Sequence, residues 1–162
     1  MRAARLAAMG LLPFAAGCTG PVRVFDVRPA PDFTLPDVQG RSVTLSEHKG
    51  KVVIVDFWAT WCAPCLKELP VFQQLQDTYR DKGLQVIGIS VDDNPAEVVP
   101  DFLKDLGITY TNLMGDEKVT DLYAPIEGIP TIFVIDRDGQ IRRKAVGAVP
   151  KDKVEAWINE LL

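Results

Sequence analysis

The order of apolar segments predicts an α/β protein in which helices cover both faces of a central mixed sheet. Three observations carry this. Residues 51–58 read KVVIVDFW and residues 84–91 read LQVIGISV, two apolar runs of strand length. Between them Leu66, Leu69, Phe72, Leu75 and Tyr79 recur every three or four positions, the spacing of a buried helix face. After them, residues 131–135 and 140–146 flank Asp136-Arg137-Asp138-Gly139, a hairpin turn signal.

The elements follow in order. Residues 1–17 carry Arg2 and Arg5, then an apolar run over 6–16, and no acid. This is the pattern of an export signal. The run is about half of the ~20 residues that span a bilayer, and Pro13 interrupts it. Residues 18–30 contain Gly20, Pro21 and Pro29 without an apolar period, and read as a tether. The folded domain is expected over 31–162. Residues 32–35 and 42–45 are short extended candidates around Val38-Gln39-Gly40, an N-terminal hairpin. Ser46 to Gly50 reads as one helical turn with its glycine stop. Four consecutive β-branched residues make 51–58 a strand buried on both faces. A helix over 63–80 follows, with Pro70 inside it and Gly83 as its stop. After the 84–91 strand, Asp92-Asp93-Asn94-Pro95 supplies a cap and an N1 proline for a helix running to Leu106. Pro100 offers an alternative start for it. A short helix is expected over 117–123, and Val154, Trp157, Ile158 and Leu161 give the last helix its apolar face.

Composition narrows the function. The 162 residues hold 18 Lys+Arg against 22 Asp+Glu, a net charge of −4. Phosphate recognition needs a basic surface, so nucleic acid is excluded as a partner. Hydrophobic residues at 47% and charged residues at 25% are those of a globular chain, not a disordered one. His48 is the one histidine, on a predicted loop, which excludes most imidazole metal sites and Ser-His-Asp catalysis. Three cysteines are too few for a disulfide scaffold.

Two of those cysteines carry the chemistry. Cys62-Ala63-Pro64-Cys65 follows a buried strand and opens a helix. Unpaired N–H groups and the dipole at a helix N-terminus favour a thiolate on Cys62, the nucleophile of disulfide exchange. Cys65 lies one turn on, within reach to resolve a mixed disulfide. Pro64 falls in the first turn, where a missing N–H costs nothing. Zinc would need four ligands, and no second cysteine pair exists to complete them. A static disulfide closing so short a ring would add little stability. No metal and no cofactor beyond this cysteine pair are expected.

The segment Val55-Asp56-Phe57-Trp58-Ala59-Thr60-Trp61-Cys62-Ala63-Pro64-Cys65 resembles the active-site segment of the thioredoxin superfamily. Asp32-Phe33-Thr34-Leu35 and Leu45-Ser46-Glu47-His48-Lys49-Gly50-Lys51 resemble the entry to its TlpA/ResA-like branch of membrane-tethered, extracytoplasmic thiol–disulfide oxidoreductases. The likeness runs over about 31–162 and implies a thioredoxin-like fold, with a helical insertion around 92–126. Gly128-Ile129-Pro130-Thr131 matches the family's cis-proline loop, which implies a cis Ile129–Pro130 bond beside the cysteines and strand-like pairing of the client with Ile129. Asp56 matches the buried acid of thioredoxins, where many members of this branch carry Asn. Glu68 matches an active-site glutamate of ResA-like members. Either acid is placed to take the proton of Cys65, the other then being structural or solvated. Trp61 is expected on the client-facing surface. Trp58, Met114 and Trp157 read as core, and His48 as a solvated loop residue. Ala15-Ala16-Gly17-Cys18 resembles a lipobox with Ala15 in place of the usual Leu, which implies lipid on Cys18. An ordinary signal peptide that leaves Cys18 as a free thiol is the alternative.

The expected function is therefore reduction of client-protein disulfides outside the cytoplasmic membrane, in the periplasm. The partners are a disulfide-containing client, a membrane thiol donor and the membrane itself, through a lipid anchor at Cys18. Apocytochrome c and copper-site cysteines are the family's clients, and a monomer is expected. A histidine between the cysteines is one device of strong oxidants, and Ala63-Pro64 lacks it, which favours the reductase direction. Two alternatives stand beside this. A thiol peroxidase needs a threonine three residues before its cysteine and a nearby arginine, whereas Thr60 precedes Cys62 by two. A copper chaperone of this fold needs a downstream histidine, and none follows His48.

Overall fold

The computed structural model describes residues 27–162. The expected leader over 1–17, Cys18 and the tether up to residue 26 lie outside the described residues. Eight strands and four α-helices are described: β1 (Arg28–Pro29), β2 (Thr34–Pro36), β3 (Ser42–Thr44), β4 (Val52–Trp58), α1 (Ala63–Tyr79), β5 (Leu84–Ser90), α2 (Pro95–Asp105), β6 (Thr111–Met114), α3 (Glu117–Leu122), β7 (Thr131–Ile135), β8 (Gln140–Val146) and α4 (Lys151–Leu161). A 3-10 turn spans Leu45–His48. Six strands form one mixed sheet in the order β1-β8-β7-β4-β5-β6, and β2 pairs with β3 beside it. Strands β4, β5 and β6 are parallel, while β7 runs antiparallel to β4 and β8. Among the described residues no helix is long and apolar enough to cross a membrane.

The alternation of side chains along β4 builds two cores. Val52, Ile54 and Trp58 pack with Leu69, Phe72 and Leu75 of α1, Val99 and Leu103 of α2, and Val154 and Ile158 of α4. Val53, Val55 and Phe57 face the other way, against Phe33, Leu35, Leu45, Val119 and Tyr123. There Phe57, Tyr123 and Phe133 meet ring to ring, with centroids 5.0–6.0 Å apart. Buried Gln76 of α1 takes the Val86 N–H at 2.6 Å and donates to the Leu84 carbonyl at 3.2 Å, which ties α1 to β5.

Two features differ from the sequence expectation, and one choice it left open is decided. Arg28 and Pro29, placed in the tether, form the edge strand β1 opposite Ile141 and Gln140, because two main-chain pairs need no apolar period. The 92–126 insertion holds a strand as well as its helices: β6 pairs parallel with β5 from Ile87↔Thr111 to Ser90↔Met114. α2 starts at Pro95, with Asn94 at its N-cap, and continues through Pro100.

Candidate active site

The cysteines sit where β4 hands over to α1. Cys62 is the N-cap of α1, in extended backbone, and its Sγ accepts the Cys65 N–H at 3.3 Å. Pro64 occupies the first turn. The two sulfurs are joined as a disulfide, with Cα atoms 5.3 Å apart. Cys62 is the more exposed of the pair, at 5% against 1% for Cys65. Trp61 stands beside them 70% exposed, whereas Trp58 is fully buried.

The loop carrying Cys62 is clamped from β5. The buried Asp92 carboxylate accepts from the Thr60 N–H at 3.1 Å, the Thr60 hydroxyl at 2.6 Å and the Ser90 hydroxyl at 2.7 Å. The Val91 N–H donates to the Trp58 carbonyl at 2.9 Å. Sequence reasoning gave Asp92 a helix-capping part. The contact with Thr60 spans 32 residues and leaves no local signal.

Two acids are buried in the elements on either side of the cysteine loop, Asp56 in β4 and Glu68 in α1. Strand alternation turns Asp56 to the α1 side with Ile54 and Trp58. It is 1% exposed, and its Oδ1 has no hydrogen-bond partner. Burial first, and then the Glu68 charge, hold its carboxyl well above the usual carboxylate range. Glu68 is buried on α1, one turn after Cys65, so it is not a solvated helix residue. Its Oε1 accepts the Val149 N–H at 2.7 Å, and its Oε2 has no partner. Burial raises its pKa, and the Val149 bond opposes the rise. A buried pair of acids sharing so little hydrogen bonding holds protons at pH values where free carboxyls have lost them.

The Pro130 loop reaches the same end of the sheet. Thr131 pairs with Phe57, which brings Pro130 level with the end of β4 where the cysteine loop begins. The Ile129–Pro130 bond is cis, and so is Ala124–Pro125, which the sequence reading did not single out. The Gly147 N–H donates to the Pro130 carbonyl at 2.7 Å. Pro130 is buried and Ile129 is half-buried. His48 lies at the far end of β4. It is half-buried rather than solvated, its Nε2 has no partner, and burial lowers its pKa. Among the described residues no group of His, Cys, Asp and Glu side chains is placed to hold a metal.

Comparisons with known proteins agree with this geometry. Residues 27–144 match the AhpC/TSA family. A thiol-disulfide oxidoreductase ResA of Bacillus thuringiensis is 31% identical over 133 residues, covering 82% of this chain and 76% of its own. The ResA of Geobacillus thermodenitrificans is 30% identical over 157 residues, covering 96% of this chain and 89% of its own. A thiol:disulfide interchange protein of the thioredoxin family from Chlorobium tepidum superposes with TM-score 0.75 at 33% identity, covering 85% of this chain and 97% of its own. Fold, cysteine pair and relatives converge: the chain belongs to the AhpC/TSA family of the thioredoxin superfamily and is a ResA-like thiol–disulfide oxidoreductase that acts through Cys62 and Cys65.

Proposed function

We propose that the protein reduces disulfides of client proteins outside the cytoplasmic membrane, as a monomer held to the membrane by lipid on Cys18. The Cys62 thiolate attacks a client disulfide and forms a mixed disulfide, expelling one client thiolate. Cys65 gives its proton to Asp56 or Glu68, and its thiolate attacks the Cys62 sulfur. The client leaves as a dithiol, and the protein keeps the Cys62–Cys65 disulfide until a membrane thiol donor returns two electrons. Trp61, Ile129 and Pro130 contact the client chain. Cytochrome c maturation and copper-site thiols are the client classes this reading favours.

The observation that supports it best is the pair of buried acids, one in β4 and one in α1, on the two elements that the cysteine pair joins. They give the resolving thiol a base close at hand, and Cys62 has the helix N-terminus to favour its thiolate. The test is the midpoint reduction potential of the detergent-solubilised chain in glutathione and dithiothreitol buffers, followed by tryptophan fluorescence. A value below about −220 mV is expected of a reductase. A value above about −150 mV, towards the strong oxidants, reverses the direction. The peroxidase alternative is disfavoured because the Thr60 hydroxyl is committed to Asp92. Peroxide consumption by Cys65→Ser protein would restore it.

A further inference from the structure

Among the described residues, three buried oxygens on the α1 side of the sheet have no hydrogen-bond partner: Asp56 Oδ1, Glu68 Oε2 and Tyr110 Oη. They come from β4, from α1 and from the residue before β6. Tyr110 is 6% exposed and packs in the same core as Cys62, Cys65 and Trp58. Its main chain is held at both ends: Gln73 Oε1 of α1 takes its N–H at 3.2 Å, and Asn112 Nδ2 donates to its carbonyl at 3.1 Å. The other nearby donors are spent. Trp58 Nε1 donates to Asn112 Oδ1 at 3.0 Å, and the Val149 N–H serves Glu68 Oε1. Gly88 lies between Asp56 and Asn112 in the sheet, and its bare backbone leaves room for this network. A Cβ there would collide with Asn112 Oδ1.

A buried carboxylate without donors is costly, and a buried hydroxyl without an acceptor is costly too. Here the two unmet needs are complementary. We infer that Tyr110 is a positioning residue of the proton-transfer step: its hydroxyl is the hydrogen-bond donor that serves the Asp56–Glu68 pair when the pair carries its negative charge. In the balanced step the Cys65 S–H bond breaks, its proton joins the carboxylate, and the Cys65 thiolate attacks Cys62. Tyr110 keeps its own proton throughout. After burial, the charges of Asp56 and Glu68 push its phenol further from ionisation, and the Asn112 side chain opposes them by donating towards its oxygen, which leaves the hydroxyl's own proton free. Glu68 acts on Asp56, and the Val149 N–H acts on Glu68.

The inference rests on Asp56 and Glu68 being the proton acceptor of Cys65. Tyr110→Phe keeps the ring and removes only the donor. In the full chain in detergent, the rate of release from a Cys62 mixed disulfide is measured across pH 5 to 9. Losing a hydrogen bond to a charged group raises the acceptor's pKa, so the midpoint of the profile moves up by about one pH unit. The rate at a pH below the wild-type midpoint then falls about tenfold. Replacing the chain's tyrosines by 3-fluorotyrosine retains every ring and strengthens the donor, and moves the midpoint down. A Tyr110→Phe profile that overlays the wild type overturns the inference. A fluorotyrosine profile that does not move overturns it as well, should the Phe variant fail to fold. The double variant Asp56→Asn, Glu68→Gln separates the two readings. If it changes the profile and Tyr110→Phe does not, only the part given to Tyr110 falls. If the double variant leaves the profile unchanged, the acceptor reading falls and takes the Tyr110 inference with it.

Discussion

Asp56→Asn replaces the buried acid by a neutral side chain of nearly the same shape. In the native protein burial, and then Glu68, keep the Asp56 carboxyl protonated well above its ordinary range. The unfolded chain releases that proton near pH 4. The folded state therefore binds more protons than the unfolded one above that pH. The stability tied to Asp56 is fully present below about pH 4 and is lost as pH rises, until the acid ionises in the folded protein. For one proton the loss is about 1.4 kcal/mol per pH unit across that window. Asn has no proton to lose, so the stability gap between variant and wild type opens at about that slope in favour of the variant. The assay is urea unfolding of the oxidised full chain at several pH values from 4 to 8, read by fluorescence of the fully buried Trp58. The disulfide stays closed in both proteins and cross-links both unfolded chains alike. Parallel stability curves for the two proteins would refute the reasoning, because they would mean that Asp56 titrates alike in the folded and unfolded chains.

Three further outcomes are expected. Glu68→Gln keeps an acceptor for the Val149 N–H but cannot take a proton, so resolution of the Cys62 mixed disulfide slows by about a hundredfold in stopped-flow. An unchanged rate assigns the proton to Asp56 alone. Gly88→Ala drives a Cβ into Asn112 and against Trp58 Nε1, and costs about 1–3 kcal/mol. The thermal midpoint should drop by several degrees, and an unmoved midpoint contradicts the packing described. Trp61→Ala removes a side chain that is 70% exposed, so stability changes by less than about 0.5 kcal/mol. Its KM for a folded protein disulfide rises while its reaction with glutathione disulfide holds; an equal loss in both would mean that Trp61 acts on the cysteines themselves.

Glu68 shows where sequence reading stops short. Cys65, Glu68, Leu69 and Phe72 share one face of α1 by spacing alone, which is enough to suggest burial. A glutamate on that face reads equally well as a solvated residue at its edge, and the Val149 N–H that receives it lies 81 residues away. β6 carries Asn112 in a four-residue strand, so its apolar pattern is too short to stand out; its place is set by parallel pairing with β5. Tyr110 has no motif around it, and Asp92 sits in what reads as a helix cap.

What the amino-acid order determined by itself was everything written at spacings of two to four residues. This covers the β-branched runs of β4 and β5, the stripe of α1, the turn between β7 and β8, and the cysteine pair at a strand–helix junction. The tertiary structure alone decided which oxygens are buried on the α1 side of the sheet. Asp56, Glu68 and Tyr110 come to the same side because a β strand, the helix after it and a strand pairing across Gly88 converge on one face of the sheet. Side chains brought together by pairing over tens of residues have no common period, so no local pattern records their meeting.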